Sequence, residues 1–233
     1  MALNLATLKT RSLTAVVFVA VMLTGLLWNF WSFLILFTVI HFGCWYELVK
    51  LTKKIYEKKY LLYSLFGLVY ITFPILMLMN LGSKGDIYTN DRINEITNTV
   101  HYDFIIPCAI IFSSWINDTM AYIVGSLIGK TPFSKISPKK TWEGTVGGAI
   151  LCIIVIATIA YFSHLLFVKD AAIIAALCAI FGTIGDLFES KLKRMANVKD
   201  SGAIMPGHGG FLDRFDSLLF AAPAVWVYVK LFM

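Results

Sequence analysis

The stretch Thr145-Val146-Gly147-Gly148-Ala149-Ile150-Leu151-Cys152-Ile153-Ile154-Val155-Ile156-Ala157-Thr158-Ile159-Ala160-Tyr161-Phe162-Ser163-His164-Leu165-Leu166-Phe167-Val168 contains no Asp, Glu, Lys or Arg. A hydrocarbon core ~30 Å thick is crossed by about 20 helical residues, so the stretch predicts a membrane span. Six further apolar runs read the same way: Leu13–Trp28, Phe30–Val49, Leu61–Leu81, Phe104–Ile128, Ala171–Leu187 and Phe211–Leu231. Only 15% of the 233 residues are charged and 58% are hydrophobic, where a soluble domain carries about 25% charged residues. With a mean hydropathy of +0.76, a chain this short cannot cover its apolar surface as a soluble bundle. The expected fold is an all-α polytopic integral membrane protein with about seven transmembrane helices.

Leu13–Trp28 follows Lys9 and Arg11 and imitates a signal peptide. No small-residue cleavage site follows it, and the apolar sequence continues, so it is expected to remain a mature helix. The region around Asn29 requires a tight turn or a re-entrant pair. The polar 82–102 segment reads as an exterior loop or a short surface helix. Cys44, Cys108, Cys152 and Cys178 lie in apolar runs without C-x-x-C spacing and read as small buried hydrophobes. Small residues four apart (Ala121, Gly125, Gly129; Gly144, Gly148; Ala171, Ala175, Ala179) predict close helix packing.

If seven spans alternate, sixteen of the twenty Lys and Arg residues fall on one side. They lie in the N-terminal tail, the 50–60 and 129–144 loops and the 188–214 segment. Only Lys84, Arg92, Lys169 and Lys230 fall on the other side. The positive-inside bias then predicts a cytoplasmic N-terminus and an exterior C-terminus. The net charge of +6 is mostly topological and suits anionic lipid headgroups. Broken into short loops, it argues against nucleic acid as a partner.

Several carboxylates do not belong in a membrane. Asp118, beside Asn117, lies ten residues before Ile128, roughly 15 Å from the end of its span at 1.5 Å per residue. A carboxylate there costs several kcal/mol unless it meets a wet cavity, a cation or a partner. Asp186 lies near the end of the sixth span, and Asp213 and Asp216 open the seventh, spaced for one helix face. Acidic residues also stabilise helix N-termini, which explains Asp213 or Asp216 alone but neither Asp118 nor Asp186. Oxygen ligands without nearby His or Cys suit Mg²⁺. The turn Pro206-Gly207-His208-Gly209-Gly210 precedes a helix start and is open to phosphate. His208 reads equally as a proton donor or as a loop stabiliser. Gly129-Lys130-Thr131 is not a P-loop, because Val124 stands where that motif needs glycine. Ser137-Pro138-Lys139-Lys140-Thr141-Trp142-Glu143-Gly144 reads either as a phosphate-holding loop or as an ordinary positive-inside loop.

Taken in order, Ser190-Lys191-Leu192-Lys193-Arg194, Lys199-Asp200, Pro206 to Gly210, and Asp213-Arg214-Phe215-Asp216 closely resemble the signature of the phosphatidate cytidylyltransferase, or CDP-diacylglycerol synthase, family. That signature runs S-x-x-K-R, K-D, P-G-H-G-G, D-R-x-D. Asn117-Asp118-Thr119 and the Ser137–Gly144 loop also look like the family. The resemblance covers roughly residues 113–222; relatives commonly have eight or nine spans.

The resemblance implies a catalytic transmembrane part over 103–233 with a cytoplasmic-facing site, preceded by N-terminal helices and an exterior loop in 1–102. It implies CTP and phosphatidate as substrates, a Mg²⁺-dependent site that admits a second cation such as K⁺, and a homodimer in a bacterial inner membrane. Asp186, Asp213 and Asp216 are assigned to metal binding and catalysis, with Asp118 as a further ligand or polar partner beside Asn117. Lys193, Arg194 and Gly207, His208, Gly209 and Gly210 are assigned to phosphates. Ser137, Lys139, Lys140, Thr141 and Glu143 are assigned to CTP or the phosphatidate headgroup. Two other classes compete: a different CTP-dependent lipid enzyme such as a polyprenol kinase, and a cation transporter. Transport sites favour the midplane and internal repeats; the carboxylates here lean to one side.

Overall fold

The computed structural model describes residues 5–90, 95–204 and 209–233. Helices α1 (Leu5–Leu27) and α2 (Phe30–Tyr56) meet at Asn29, whose side chain accepts from Ser32 N while Ser32 Oγ accepts from Asn29 N. This reciprocal cap satisfies amide groups at the start of α2 and makes a tight turn, one of the two expected alternatives.

The third apolar run is helical but broken. A short turn at Glu57–Lys59 leads to α3 (Tyr60–Ser64), a π-helical turn at Leu68–Thr72 and α4 (Phe73–Gly82). Pro74 lacks the N–H that would bond one turn back, and widened turns commonly absorb such a defect. Thr72 Oγ1 accepts from Trp45 Nε1 and contacts His41 Nε2, both at 2.9 Å, which fastens the irregular stretch to α2.

The 82–102 segment differs from its expectation. It is an antiparallel hairpin, β1 (Ser83–Asn90) paired with β2 (Glu95–Tyr102) in a register from Ser83↔Tyr102 to Asn90↔Glu95. Ile87, Tyr88, Thr89, Ile96, Thr97, Thr99 and Val100 are strand-favouring residues, a signal that the polar composition outweighs in a hydropathy reading.

Helices α5 (Ile105–Ile128), α6 (Trp142–Ser163), α7 (Val168–Met195) and α8 (Leu212–Phe232) follow. Each predicted span coincides with helical structure. Among the described residues, four helical stretches are long and apolar enough to cross a membrane: Phe30–Ser64, Trp142–Ser163, Val168–Met195 and Leu212–Phe232. Ser12–Leu27 and Leu68–Gly82 are shorter apolar helices. Large apolar side chains such as Phe42, Leu61, Ile150, Tyr161 and Phe162 face outward, a surface that lipid solvates and water does not. The chain is an all-α polytopic integral membrane protein with one β-hairpin between spans.

The predicted small-residue contacts are present. A Cβ on Gly148 would lie 2.6 Å from Ala121 Cα, and one on Gly144 2.8 Å from Gly125 Cα, so α5 and α6 touch backbone to backbone. Ala171 and Ala175 pack with Cys152 and Ile156 between α6 and α7. All four cysteines are buried and free, as expected. One larger apolar core joins α1, α2, α4, α5, α7 and α8, from Met22 to Val225.

Candidate active site

The ends of α2, α5 and α7 and the starts of α6 and α8 gather at the pole that carries the basic loops. The 129–141 loop is built there by residues of the predicted set. Thr141 caps α6, its Oγ1 accepting from Gly144 N at 3.1 Å. Glu143 accepts from Lys130 N (3.2 Å), Thr131 N (3.1 Å) and Thr131 Oγ1 (2.8 Å). Phe133 N donates to Lys140 O at 2.8 Å, and the Phe133 ring meets Trp142 edge-on. Thr141 and Glu143 therefore hold the loop closed, which turns Ser137, Lys139 and Lys140 toward a cavity of about 440 Å³. Asn117 and Asp118 of α5 and Asp186 of α7 line the same cavity. Lys140 forms an ion pair with Asp186.

Asp186 also belongs to a second grouping. With Glu189 and Asp216 it offers three carboxylate oxygens within 4.8 Å of one another. Asp186 and Glu189 sit one turn apart on α7; Asp216 comes from α8. Gly185 makes the approach possible, since a Cβ there would strike the Asp216 carbonyl. Glu189 is fully buried, and beyond its ion pair with Lys193 neither carboxylate oxygen has a hydrogen-bond partner. Asp186 is also held by Ser190 and Lys140 and Asp216 by Ser217 N, so the under-used oxygens are those of Glu189. Three crowded carboxylates of this kind form an oxygen donor set that suits Mg²⁺.

Asp213 faces another way. Its carboxylate accepts from Lys193 Nζ (2.7 Å), Ser201 N (2.8 Å), Ser201 Oγ (2.9 Å) and Gly210 N (2.8 Å). It anchors the segment before α8 and is not one of the three grouped carboxylates. Asp118 is likewise outside that group and stands on the cavity wall. Gly209 has φ of +84°, a left-handed conformation that glycine adopts without strain. Arg194 Nη1 reaches Val198 O at 3.5 Å and closes the turn after α7. Gly207 and His208 lie outside the described residues.

The profile of the cytidylyltransferase family matches residues 53–232. The chain belongs to the cytidylyltransferase family. Among its relatives, a phosphatidate cytidylyltransferase of Thermotoga maritima is 33% identical over 96% of this chain and 97% of its own length. A phosphatidate cytidylyltransferase of Staphylococcus haemolyticus is 48% identical over 47% of this chain and 43% of its own length. A chloroplastic phosphatidate cytidylyltransferase 4 of Arabidopsis thaliana is 43% identical over 48% of this chain and 29% of its own length. The chain thus spans less than half of the last two, while it runs almost end to end with the first.

Two residues of this chain are not singled out by its sequence. Glu189 completes the carboxylate group, and its signal was available: it stands three residues after Asp186. Glu47, on α2, accepts from Ser201 Oγ (2.6 Å), Phe211 N (2.9 Å) and Leu212 N (2.9 Å). It precedes the stretch that the family profile matches, and its only signal was a carboxylate inside an apolar run.

Proposed function

We propose that this chain transfers the cytidylyl group of CTP to phosphatidate, giving CDP-diacylglycerol and pyrophosphate. The observation that carries the reading is the position of Asp186. It joins the cavity lined by Ser137, Lys139 and Lys140 to the Asp186–Glu189–Asp216 group, so a space of about 440 Å³ that carries two lysines lies beside a candidate Mg²⁺ site. In the reaction, a phosphate oxygen of phosphatidate bonds to the α-phosphorus of CTP. The bond from that phosphorus to the bridging oxygen breaks, and pyrophosphate leaves with the electron pair.

A phosphate monoester is already an anion at neutral pH, so the nucleophile needs no strong base. The protein's task is to align two anions and offset their charge. Lys139 and Lys140 supply positive charge at the cavity, and Lys193 supplies it beside Glu189 and Asp213. Asp186, Glu189 and Asp216 would hold Mg²⁺, which supplies charge neutralisation on phosphate oxygens when bound. A second cation such as K⁺ belongs to the same reading, as the family resemblance implies.

The basic pole is assigned to the cytoplasm, where CTP is made, with the N-terminus on that side and the chain in a bacterial inner membrane. The chain is taken as a homodimer, as the family resemblance implies; light scattering of the detergent-solubilised protein tests this. The reaction itself is tested with purified chain, CTP and phosphatidate. Pyrophosphate release that requires both substrates and Mg²⁺ is expected, and release independent of phosphatidate would sink the assignment.

A further inference from the structure

Glu47 is 1% exposed, and the hydrogen bonds it accepts come from uncharged donors. Two are the amides of Phe211 and Leu212, at the start of α8. That helix has no side-chain cap of its own, so the α2 carboxylate satisfies amides that would otherwise be orphaned, at the end of the helix dipole that favours negative charge. Gly202 and Gly210 face the same carboxylate so closely that a Cβ on either would collide with it. One turn earlier on α2, Gly43 leaves the room that the Phe211 ring fills. The Ser201 hydroxyl stands between two acids, 2.6 Å from Glu47 Oε2 and 2.9 Å from Asp213 Oδ2. Its one hydrogen serves one of them at a time.

We propose that Glu47 is a positioning residue: from α2 it fixes the start of α8 and the Ser201–Gly202 turn, and thereby sets Asp216 against Asp186 and Glu189. This rests on the reading of those three carboxylates as the metal site of the transfer reaction. A capping role confined to stability is the alternative. Geometry separates them, because Asp213 follows the capped amides directly and Asp216 stands one turn further along the same helix. A slide of α8 that releases Glu47 carries both with it. Misplacement by ~1 Å costs on the order of a hundredfold in rate.

The test is Glu47→Gln in the full chain, purified in detergent. Gln keeps the volume but offers one acceptor oxygen in place of two. Three readouts are taken: hydrogen exchange at Ser201 and Gly209–Leu212, turnover, and the Mg²⁺ concentration giving half-maximal turnover. Faster exchange at those amides is expected, with turnover down roughly a hundredfold and half-saturating Mg²⁺ raised about tenfold, as for a site weakened by one factor of ten in affinity. Loss of folded protein alone would lower turnover and leave half-saturating Mg²⁺ unchanged. Ser201→Ala, which cuts only the link between Glu47 and Asp213, should shift Mg²⁺ dependence in the same direction by less, and it carries the test if Glu47→Gln does not fold. Faster exchange with parental Mg²⁺ dependence in both variants would reduce Glu47 to a cap and overturn the proposal, as would parental exchange. A parent protein without nucleotidyl transfer sinks the functional reading and the kinetic half of this proposal, while the exchange readout still judges the contact.

Discussion

Lys193 Nζ lies 2.7 Å from Asp213 Oδ1 and ion-pairs with Glu189 from the same position. One ammonium group therefore connects the acid that anchors the segment before α8 to one of the three grouped carboxylates. Removing one member of so enclosed a pair leaves the other charge uncompensated, which costs more than the pair itself contributes.

For Asp213→Asn the expectation is a joint loss of stability and rate. The amide keeps one acceptor oxygen but presents donors to Lys193, Ser201 N or Gly210 N. Thermal unfolding in detergent should move to lower temperature, and turnover should fall by about two orders of magnitude, the scale of several kcal/mol of lost charge alignment. Parental melting together with parental turnover would contradict the anchoring role.

Asp216→Asn should behave differently. Asp216 shares its space with two other carboxylates, so removing its charge relieves repulsion. The variant should melt no lower than the parent without divalent cations. Mg²⁺ should raise the melting temperature of the parent, as any ligand of the native state does, and leave that of Asp216→Asn nearly unchanged. An equal Mg²⁺ shift in both proteins would move the metal site elsewhere.

Replacing both Lys139 and Lys140 with Ala removes the positive charge at the cavity and frees Asp186 from its ion pair. A rise in KM for an anionic substrate by about tenfold or more is expected, the loss of uniform binding, with the protein still monodisperse. Steady-state kinetics in CTP and in phosphatidate separately would show which substrate the loop holds. Unchanged KM for both would return the loop to a topological role.

Topology is tested by reporters fused at Lys54, Lys135, Lys199 and Asn98. The first three should read cytoplasmic and the last exterior, from the uneven distribution of Lys and Arg. A cytoplasmic reading at Asn98 would invert the membrane arrangement of the hairpin.

Much of this architecture is written in local sequence. Apolar runs announce spans because a helix crossing lipid needs a long stretch with few charges, and the Gly144/Gly148 spacing announces the α5–α6 contact because small residues let backbones meet. Thr141 and Glu143 are legible as members of a loop, yet their work in closing it depends on partners up to thirteen residues away. The pairing of Asp213 with Asp216 shows the limit: i,i+3 spacing places both on one face but does not say that Lys193 and Ser201 occupy Asp213. Glu47 is harder still, since its partners Ser201 and Leu212 stand 154 and 165 residues away. No local period carries such a contact. The hairpin is hidden for the opposite reason, because its strand-favouring residues are local but embedded in polar sequence.

Cytidylyl transfer to a lipid phosphate is read out by the distribution of label from CTP. Purified chain is incubated with phosphatidate, Mg²⁺ and CTP labelled either in the cytosine ring or in the γ-phosphate. Ring label is expected in the lipid fraction and γ-label in released pyrophosphate, with neither product when phosphatidate is omitted. Label from the γ-phosphate in lipid, with the ring label remaining in solution, would mean phosphoryl transfer and would rule out cytidylyl transfer.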